Sequence, residues 1–360
     1  RDIAKGEPVI KYGTTVGLAK CGIHKGDWVH DHNELDITEE LLAQAREKVL
    51  SGGSGMTYTA VPVKKAAPAV SRTTIPGYPR ADGRFGIRNY VIVLSLVQCA
   101  NTAAQKIARA CGDIPAIVVE AACGEFANRF ARTRLGWICA GIHPNVYGVL
   151  LVSLGCQQAD PQDVAAEIKK YGKEVETLCI QTDGGQTEVI KKGIEIVKGM
   201  QARAAEQKRV PCPVSELVLC AYNGGSDWTS GLSSNAVCGE MLDWHEANGG
   251  RILSNEGRGR FPMRGGSYQV ARQILEIGQR FNDDCKARTG HGLSEVNPTP
   301  GNKAGGLTTL MEKDLGSAKT GGHSKIRQIL DVGQTPPGPG AWGLDQPQGA
   351  NDAYACTTYA

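Results

Sequence analysis

From Tyr90 onward the chain sets apolar runs of strand length against helical segments. "NYVIVLSLV" leads into "ANTAAQKIARAC", "VYGVLLVSLG" into "PQDVAAEIKKYG", and "VETLCIQ" into "TEVIKKGIEIVKGMQARAAEQ", with "PAIVVEA" as a further strand. A strand with one wet face alternates apolar and polar residues, so runs this uniformly apolar must be covered on both faces. Strands covered on both faces and alternating with helices predict an α/β class with a parallel, doubly wound sheet. Sites in such sheets lie beyond the carboxyl ends of the strands, so the residues after each run carry the interest. A second α/β unit starts at "ELVLCAYNGGSDWTSG", with "MLDWHEANG" as helix and "RILSNE" as strand. The expected division is 77–210 for the first α/β unit and 211–360 for the second, which includes a long polar, glycine-rich stretch, "EVNPTPGNKAGGLTTLMEKDLGSAKTGGHSK".

The first 36 residues differ: "PVIKYG", "TVGLAK" and "DWVHDHN" are short extended pieces broken by glycine, the pattern of a small all-β module. "DITEELLAQAREKVL" adds a helix with Asp36 or Thr38 as its N-cap, which closes a module over 1–50. Residues 51–76 read as a flexible linker, in which "SGGSG" is followed at once by Met56, as if two polypeptides had been tied together. Because the first residue is Arg1, a longer start is expected.

Net charge is +3 with no Lys/Arg block, which gives no footprint for nucleic acid or an anionic membrane. No apolar run approaches the roughly 20 residues that span a bilayer. A small molecule is the expected partner. The 12 cysteines stand singly, with no C-x-x-C pair, which fits reduced thiols in a cytoplasmic protein better than a disulfide framework.

Five sets of residues carry chemistry. Cys99, Cys123 and Cys156 each follow a strand run, and thiols converging at strand ends hold a soft metal or an iron–sulfur cluster, or else plug the end of the core. In "NGGSDWTSG", Gly224, Gly225, Ser226 and Asp227 offer backbone N–H groups, a hydroxyl and a carboxylate, either as a substrate-binding turn or as a plain loop. "GYPRADGRFGIRN" brings Arg84, Arg88 and Asn89 before the first strand, as forks for a substrate carboxylate or as a solvated connection. "VHDHNE" places His30 and His32 on one face of a strand, with Asp31 and Glu34 nearby, as a metal or acid–base pair or as an exposed pair. In "NPTPGNKAGGLTTL", prolines and glycines shape a loop in which Asn297, Asn302, Thr308 and Thr309 suit a polyhydroxy acid. Lys303 there is the expected base or the anchor for the acid.

Together these stretches resemble the altronate/galactarate dehydratase family. "VIKYGTTVGLAKCGIHKGDWVHDHN" is similar to the second half of that family's β-clip (SAF) module, and "GYPRADGRFGIRNYVIVL", "HPNVYGVLLVSLGC", "NGGSDWTSG" and "NPTPGNKAGGLTTLMEKDLG" are similar to signatures of its large portion. The resemblance implies a hydro-lyase that removes water from an aldonate or aldarate to give a 2-keto-3-deoxy acid. It implies a divalent metal, Fe²⁺ first, with Mn²⁺ or an iron–sulfur cluster as alternatives, and Cys123 and Cys156 as ligands. His30, His32 and Lys303 would be catalytic at the junction of the small and large portions, which occur fused or as separate subunits, and the enzyme would be a homo-oligomer. Against the family pattern, no histidine precedes Cys123 in "EAACGE", Gln157 stands for a glutamate, and Asn223 stands for a cysteine, so either the metal site is altered, the substrate differs, or another group such as Glu125 or Cys356 fills the gap. The first half of the module and the family's C-terminal portion are expected to be missing. Two alternatives follow: a sulfo-lyase acting on sulfolactate, which also belongs to this family, and a sugar-acid-binding homologue without activity.

Overall fold

The computed structural model describes residues 1–51, 74–221, 223–254 and 266–345. Most of the expected linker, from 52 to 73, and Cys356 lie outside them. The described chain forms two compact units. One, the split unit, gathers the N-terminal module with the chain from Val218 onward, and the other, the continuous unit, lies between them in sequence.

The module opens with antiparallel strands β1 (Pro8–Lys11) and β2 (Thr14–Ala19), and β3 (Glu34–Leu35) pairs with β2. The turn between β1 and β2 is Tyr12–Gly13, both at positive φ (57° and 81°), the backbone that a two-residue hairpin turn requires. His30 and His32 do not share a strand face as expected. Asn33 Oδ1 accepts the His30 N–H, and the N–H groups of Asn33 and Glu34 both bond to the His30 carbonyl, so His30–Asn33 is a tight turn. Helix α1 (Thr38–Leu50) follows, with the Asp36 carboxylate accepting the Thr38 N–H at 2.8 Å.

The continuous unit begins at β4 (Thr74–Pro79), so the last residues assigned to the linker are already strand. The unit continues through β5 (Phe85–Gly86), β6 (Tyr90–Ser95), α2 (Asn101–Ala110), β7 (Ala116–Ile117), α3 (Ala127–Ile142), β8 (Val146–Ser153), α4 (Pro161–Lys169), β9 (Glu174–Cys179), α5 (Gly185–Glu206) and β10 (Val210–Pro213). Strands β7-β6-β8-β9 form one parallel sheet, and β10-β4-β5 form a small antiparallel one. Alternate residues of β6 and β8 feed two separate cores. Val91, Val93, Leu150 and Val152 pack with Ile107 of α2 and Val189 of α5, while Ile92, Leu94, Val149 and Leu151 pack with Trp137 of α3 and Ile168 of α4. This two-sided burial explains the uniformly apolar runs. Gly193 lets α5 approach α2, since a Cβ there would stand 2.5 Å from Ile107 Cδ1. "PAIVVEA" forms only a two-residue strand, because Asn101 takes both backbone groups of Val119.

The rest of the split unit runs β11 (Val218–Ala221), α6 (Ser234–Ala247), β12 (Arg251–Ser254), α7 (Tyr268–Thr289), α8 (Leu293–Val296), α9 (Pro300–Ala304), α10 (Leu310–Ala318), β13 (Ile326–Asp331) and β14 (Gly340–Asp345). Its sheet is parallel, in the order β11-β12-β14-β13. The stretch expected as a shaped loop contains short helices, because Thr299 and Thr309 each N-cap the turn that follows. Helix α10 shares a core with the module: Met311 and Leu315 pack with Val9 and Val16. Asp36 Oδ2 accepts the Leu310 N–H, Thr38 Oγ1 accepts the Met311 N–H, and Thr309 Oγ1 donates to the Val16 carbonyl. The module thus caps one end of α10, where helix N–H groups would otherwise be orphaned.

Candidate functional site

His30, Asp31, His32 and Lys303 come together in the split unit. The His30 ring is buried (8% exposed), with Nε2 2.9 Å from the Lys303 carbonyl oxygen and Nδ1 2.5 Å from Asp31 Oδ1. A carbonyl and a carboxylate oxygen can only accept, so both ring nitrogens carry protons and His30 is an imidazolium. Burial, the largest single influence, pulls its pKa down, but the Lys303 carbonyl and the Asp31 carboxylate together raise it. The bond from His30 in turn lowers the Asp31 pKa. The His32 ring stacks on His30 with centroids 6.4 Å apart, and the Trp28 ring lies 4.4 Å from His30. The Lys303 ammonium, 40% exposed, stands 3.8 Å from Asp31 Oδ2.

His30, Asp31 and His32 can each offer a ligand atom within 4.8 Å of the others. Two imidazoles and a carboxylate suit Fe²⁺, Mn²⁺ or Zn²⁺, so the donor set fits a divalent metal, with His30 giving up one proton and its hydrogen bond to serve.

The glycine-rich segment is braced mainly by its own polar groups. Asn302 Oδ1 accepts from Thr299 N, Thr299 Oγ1 and Lys313 Nζ, and its Nδ2 donates to the Ser226 carbonyl. Asn297 Oδ1 accepts from the same Lys313 at 2.7 Å. Thr308 donates through N and Oγ1 to Glu312 Oε2, and Thr309 caps α10. In the Asn223–Gly231 turn, Asp227 Oδ1 accepts from the N–H and hydroxyl groups of both Thr229 and Ser230, bonds that lower its pKa, Thr229 first. Trp228 N donates to the Gly305 carbonyl, which laces this turn to the glycine-rich segment, while Gly224 and Gly225 are exposed. Asn223, where a cysteine was expected, accepts from the Thr320 hydroxyl. Of the expected substrate groups, Asn297, Asn302, Thr308 and Thr309 hold the scaffold, and the charged group facing Asp31 is Lys303.

Beside this cluster, with Trp28 in its wall, lies a pocket of about 560 Å³. It is lined by Glu34, which the sequence showed only as a neighbour of His30 and His32, and by Glu312, which the sequence did not single out. Glu312 (2% exposed) pairs with Lys11, and Glu34 is 3% exposed, with Oε1 lacking any hydrogen-bond partner. Burial, with the neighbouring Glu312 charge adding to it, pushes the Glu34 pKa to about 7. The only sequence signal for these was a glutamate directly after a His-x-His-Asn turn.

The remaining expected residues belong to the continuous unit. Cys99, Cys123 and Cys156 are exposed beyond the carboxyl ends of β6, β7 and β8. The loops of Cys123 and Cys156 are stitched together: Glu125 N donates to Gln158 Oε1, and Gln158 Nε2 donates back to the Glu125 carbonyl. Gln157 Oε1 closes its own turn on the N–H groups of Leu154 and Gly155, and the Glu125 carboxylate accepts from Ala122 N and Thr133 Oγ1. Among the described residues neither thiol forms part of a cluster of three metal-binding groups. Arg84, Arg88 and Asn89 sit at the opposite, amino-terminal edge of the sheet. Arg84 bonds Asp82 and the Ile142 carbonyl, the Arg88 N–H bonds Asn145 Oδ1, and Asn89 Nδ2 bonds the Ala204 carbonyl.

Comparison with known proteins covers both units. Residues 1–35 match the altronate/galactarate dehydratase SAF domain, 77–205 match the second domain of D-galactarate dehydratase/altronate hydrolase, and 214–360 match the D-galactarate/altronate dehydratase C-terminal domain. The altronate dehydratase of Escherichia coli (strain K12) is 30% identical over 379 residues, covering all of this chain and 72% of that protein. The altronate dehydratase of Bacillus subtilis (strain 168) is 27% identical over 380 residues with the same coverage. Subunit beta of the (2R)-sulfolactate sulfo-lyase of Chromohalobacter salexigens is 33% identical over 290 residues, 77% of this chain and 72% of that one.

Proposed function

The chain belongs to the altronate/galactarate dehydratase family and is a carbon–oxygen lyase; from that premise we propose that it dehydrates a sugar acid to a 2-keto-3-deoxy acid at the His30–His32–Lys303 cluster. The observation that carries this reading is the hydrogen bond from His30 Nε2 to the Lys303 carbonyl, which joins the small module to the family's most specific signature.

The reaction removes the proton on the carbon beside the carboxylate and the hydroxyl on the next carbon, and the enol that remains tautomerises to the ketone. Lys303, an exposed ammonium on a braced backbone, anchors the carboxylate. His32, stacked on His30, takes the proton. His30, held as an imidazolium by Asp31, supplies a proton to the departing hydroxyl. With a divalent metal bound, His32, Asp31 and His30 would serve as its ligands in place of those proton transfers, the metal would supply Lewis acidity at the hydroxyl, and Lys303 would be the group left to take the proton. Cys123 and Cys156, on stitched loops, are the alternative metal ligands. Among the described residues no helix is long and apolar enough to cross a membrane. The same reading has the enzyme acting in the cytoplasm as a homo-oligomer.

The test is anaerobic purification with metal analysis, then a screen of aldonic and aldaric acids for 2-keto product. The expected result is product from at least one acid; loss of product on chelation assigns the hydroxyl's departure to the metal, and product that survives chelation assigns it to His30. Release of sulfite from sulfolactate, with no keto-deoxy product from any sugar acid, would replace this reading by the sulfo-lyase one, which the identity to the sulfo-lyase subunit favours.

A further inference from the structure

The reaction proposed above takes place at the carboxylate end of the acid, and the hydroxyl-bearing tail needs a place of its own. The pocket of about 560 Å³ beside the cluster offers one: it shares the Trp28 ring with His30, and Gly306 and Thr308 of its lining lie on the segment that carries Lys303. That volume lies within the range of small-molecule pockets, and the indoles of Trp28 and Trp228 give the C–H faces of a sugar chain a surface to pack on. The polar groups of the lining are unevenly committed. Lys11 Nζ and the N–H and hydroxyl of Thr308 all donate to Glu312, which leaves that carboxylate matched. Glu34 is as deeply buried, but its Oε1 has no hydrogen-bond partner. Gly17 keeps room for that carboxyl, since a Cβ there would overlap Glu34 Oε1 and Cγ. A buried oxygen without a partner is an acceptor in want of a donor, and a sugar chain carries a hydroxyl on each carbon of its tail. Charge makes the lining selective as well. Two carboxyl side chains, Glu34 and Glu312, line the pocket against one ammonium, Lys11, which is already paired. A tail ending in a hydroxyl brings Glu34 a donor, whereas a tail ending in a second carboxylate brings only acceptors and a like charge.

We propose that Glu34 reads the hydroxyl tail of the sugar acid: its Oε1 accepts a tail hydroxyl while the carboxylate end sits at Lys303, and the acidic lining selects an aldonate over an aldarate. The inference rests on the reading of His30, His32 and Lys303 as the reacting end. Glu34 meets the tail and not the reacting carbons, so it sets which acid binds and not how the water leaves.

The experiment is calorimetric titration of the full chain at mildly alkaline pH, where carboxyl groups are ionised. Gluconate and galactonate are set against glucarate and galactarate, which differ from them only by a carboxylate at the end of the tail, and against glycerate, which has the reacting end and no tail. The expected result is that at least one aldonate binds about tenfold more tightly than its aldarate and than glycerate, the scale of one charge-assisted hydrogen bond or one like-charge clash. Glu34→Leu, which removes the acceptor and keeps the bulk, weakens that aldonate about tenfold and leaves glycerate within about twofold. Glu34→Gln keeps an acceptor of nearly the same shape without the charge, so the aldonate holds within about threefold while the aldarate gains about tenfold. No measurable binding of either aldonate, an aldarate or glycerate bound as tightly as the aldonates, or preferences that neither Glu34 variant alters would each overturn the proposal. Lys303→Met separates this from a failure of the reading beneath it: that variant weakens every acid alike, and acids bound by it as by the parent would remove the carboxylate end from Lys303, and the proposal with it, whatever Glu34 does.

Discussion

The split unit buries carboxyl groups beside a pocket, whereas the continuous unit buries cations against its own backbone. In the continuous unit, Lys173 donates to the carbonyls of His143 and Val146, Arg80 to those of Pro144 and Arg88, and Arg84 to that of Ile142. The carbonyls of Ile142, His143 and Pro144 lie where α3 ends, which is where a helix leaves its acceptors unsatisfied and its dipole negative. The cations there complete a helix end. In the split unit, Glu312 lies in the first turn of α10 and takes N–H and hydroxyl donors from Thr308, but Glu34 Oε1 is left without a partner. A buried polar atom left unmatched costs stability, so its presence beside a pocket is more informative than any number of satisfied arginines.

Removing the N-terminal module should have the largest effect, and an unequal one. Without residues 1–51 the split unit loses Val9 and Val16 from the α10 core, the caps from Asp36 and Thr38, and His30. Residues 74–217, whose two cores are internal, should fold when expressed alone with a cooperative melt. Residues 52–360 should show no dehydration and no amide protection in α10. Full-rate dehydration by that truncated chain would put the active cluster elsewhere.

Next in size is Lys303→Met set beside Arg84→Met. The first keeps most of the stem and removes the charge that anchors the carboxylate, so kcat/KM should fall by about 10- to 100-fold, mainly through KM, while the melting temperature holds. The second removes a backbone clamp, so stability should fall while KM for the acid holds. Steady-state kinetics and thermal melts of both variants check this. A raised KM in Arg84→Met with an unchanged melt would restore that arginine as a substrate fork.

How legible these regions were in the sequence also differs. The continuous unit could be read from Tyr90 to Glu206 because burial on both faces writes itself into every residue of β6 and β8. The module's strands were legible as well, but its place was not. Its contacts with α10 join Val16 to Thr309 and Thr38 to Met311, pairs far apart in sequence with no periodicity to announce them. His30, His32 and Lys303 were visible as chemistry-bearing types on glycine-rich turns, and the structure brings them together. Arg84 and Asn302 were read as substrate groups from residue type alone, which cannot tell a fork for a carboxylate from a clamp on a carbonyl. Glu34 was read only as a neighbour of the histidines and Glu312 went unread, because only burial makes an ordinary glutamate unusual.

The buried charges predict opposite pH responses. Glu34, raised from 4.5 to about 7, makes the folded split unit hold a proton that the unfolded chain has lost. That contribution is fully present below pH 4.5 and is lost as pH rises through 7, roughly 3 kcal/mol in all. His143, lowered by burial and then by Lys173 from 6.5 to about 4, runs the other way: the continuous unit keeps its stability above 6.5 and loses it as pH falls through 4. Lys173, lowered by burial and then by the two arginines to about 7, adds a further gain as pH rises from 7 towards 10.5. Between pH 5 and 7, hydrogen exchange should therefore show α10 losing protection while α5 gains it. Glu34→Gln should flatten the first trend and leave the second. Parallel trends in the two helices would break the contrast.

The smallest expected difference lies between two helix caps of the same kind. In the continuous unit, Asp160 precedes Pro161 and its carboxylate accepts one N–H, that of Gln162, at 2.8 Å at an exposed site. Asp160→Ala removes that bond and leaves the N–H to water, a cost of about 1 kcal/mol. In the split unit, Thr309 does two things from a position only 1% exposed: its hydroxyl accepts from Glu312 N at 3.1 Å and donates to the Val16 carbonyl at 2.8 Å. Thr309→Ala removes both at once and deprives β2 of a donor in a place water does not reach, so the cost should rise to about 2 kcal/mol. Thr309→Ser restores both bonds and should recover most of the loss, which separates the hydroxyl from the packing of the methyl group. Urea titrations followed by exchange in α4 and α10 read each cap in its own unit. Equal costs for the two alanine variants would mean that the Thr309 bond to Val16 does not help hold the module to α10.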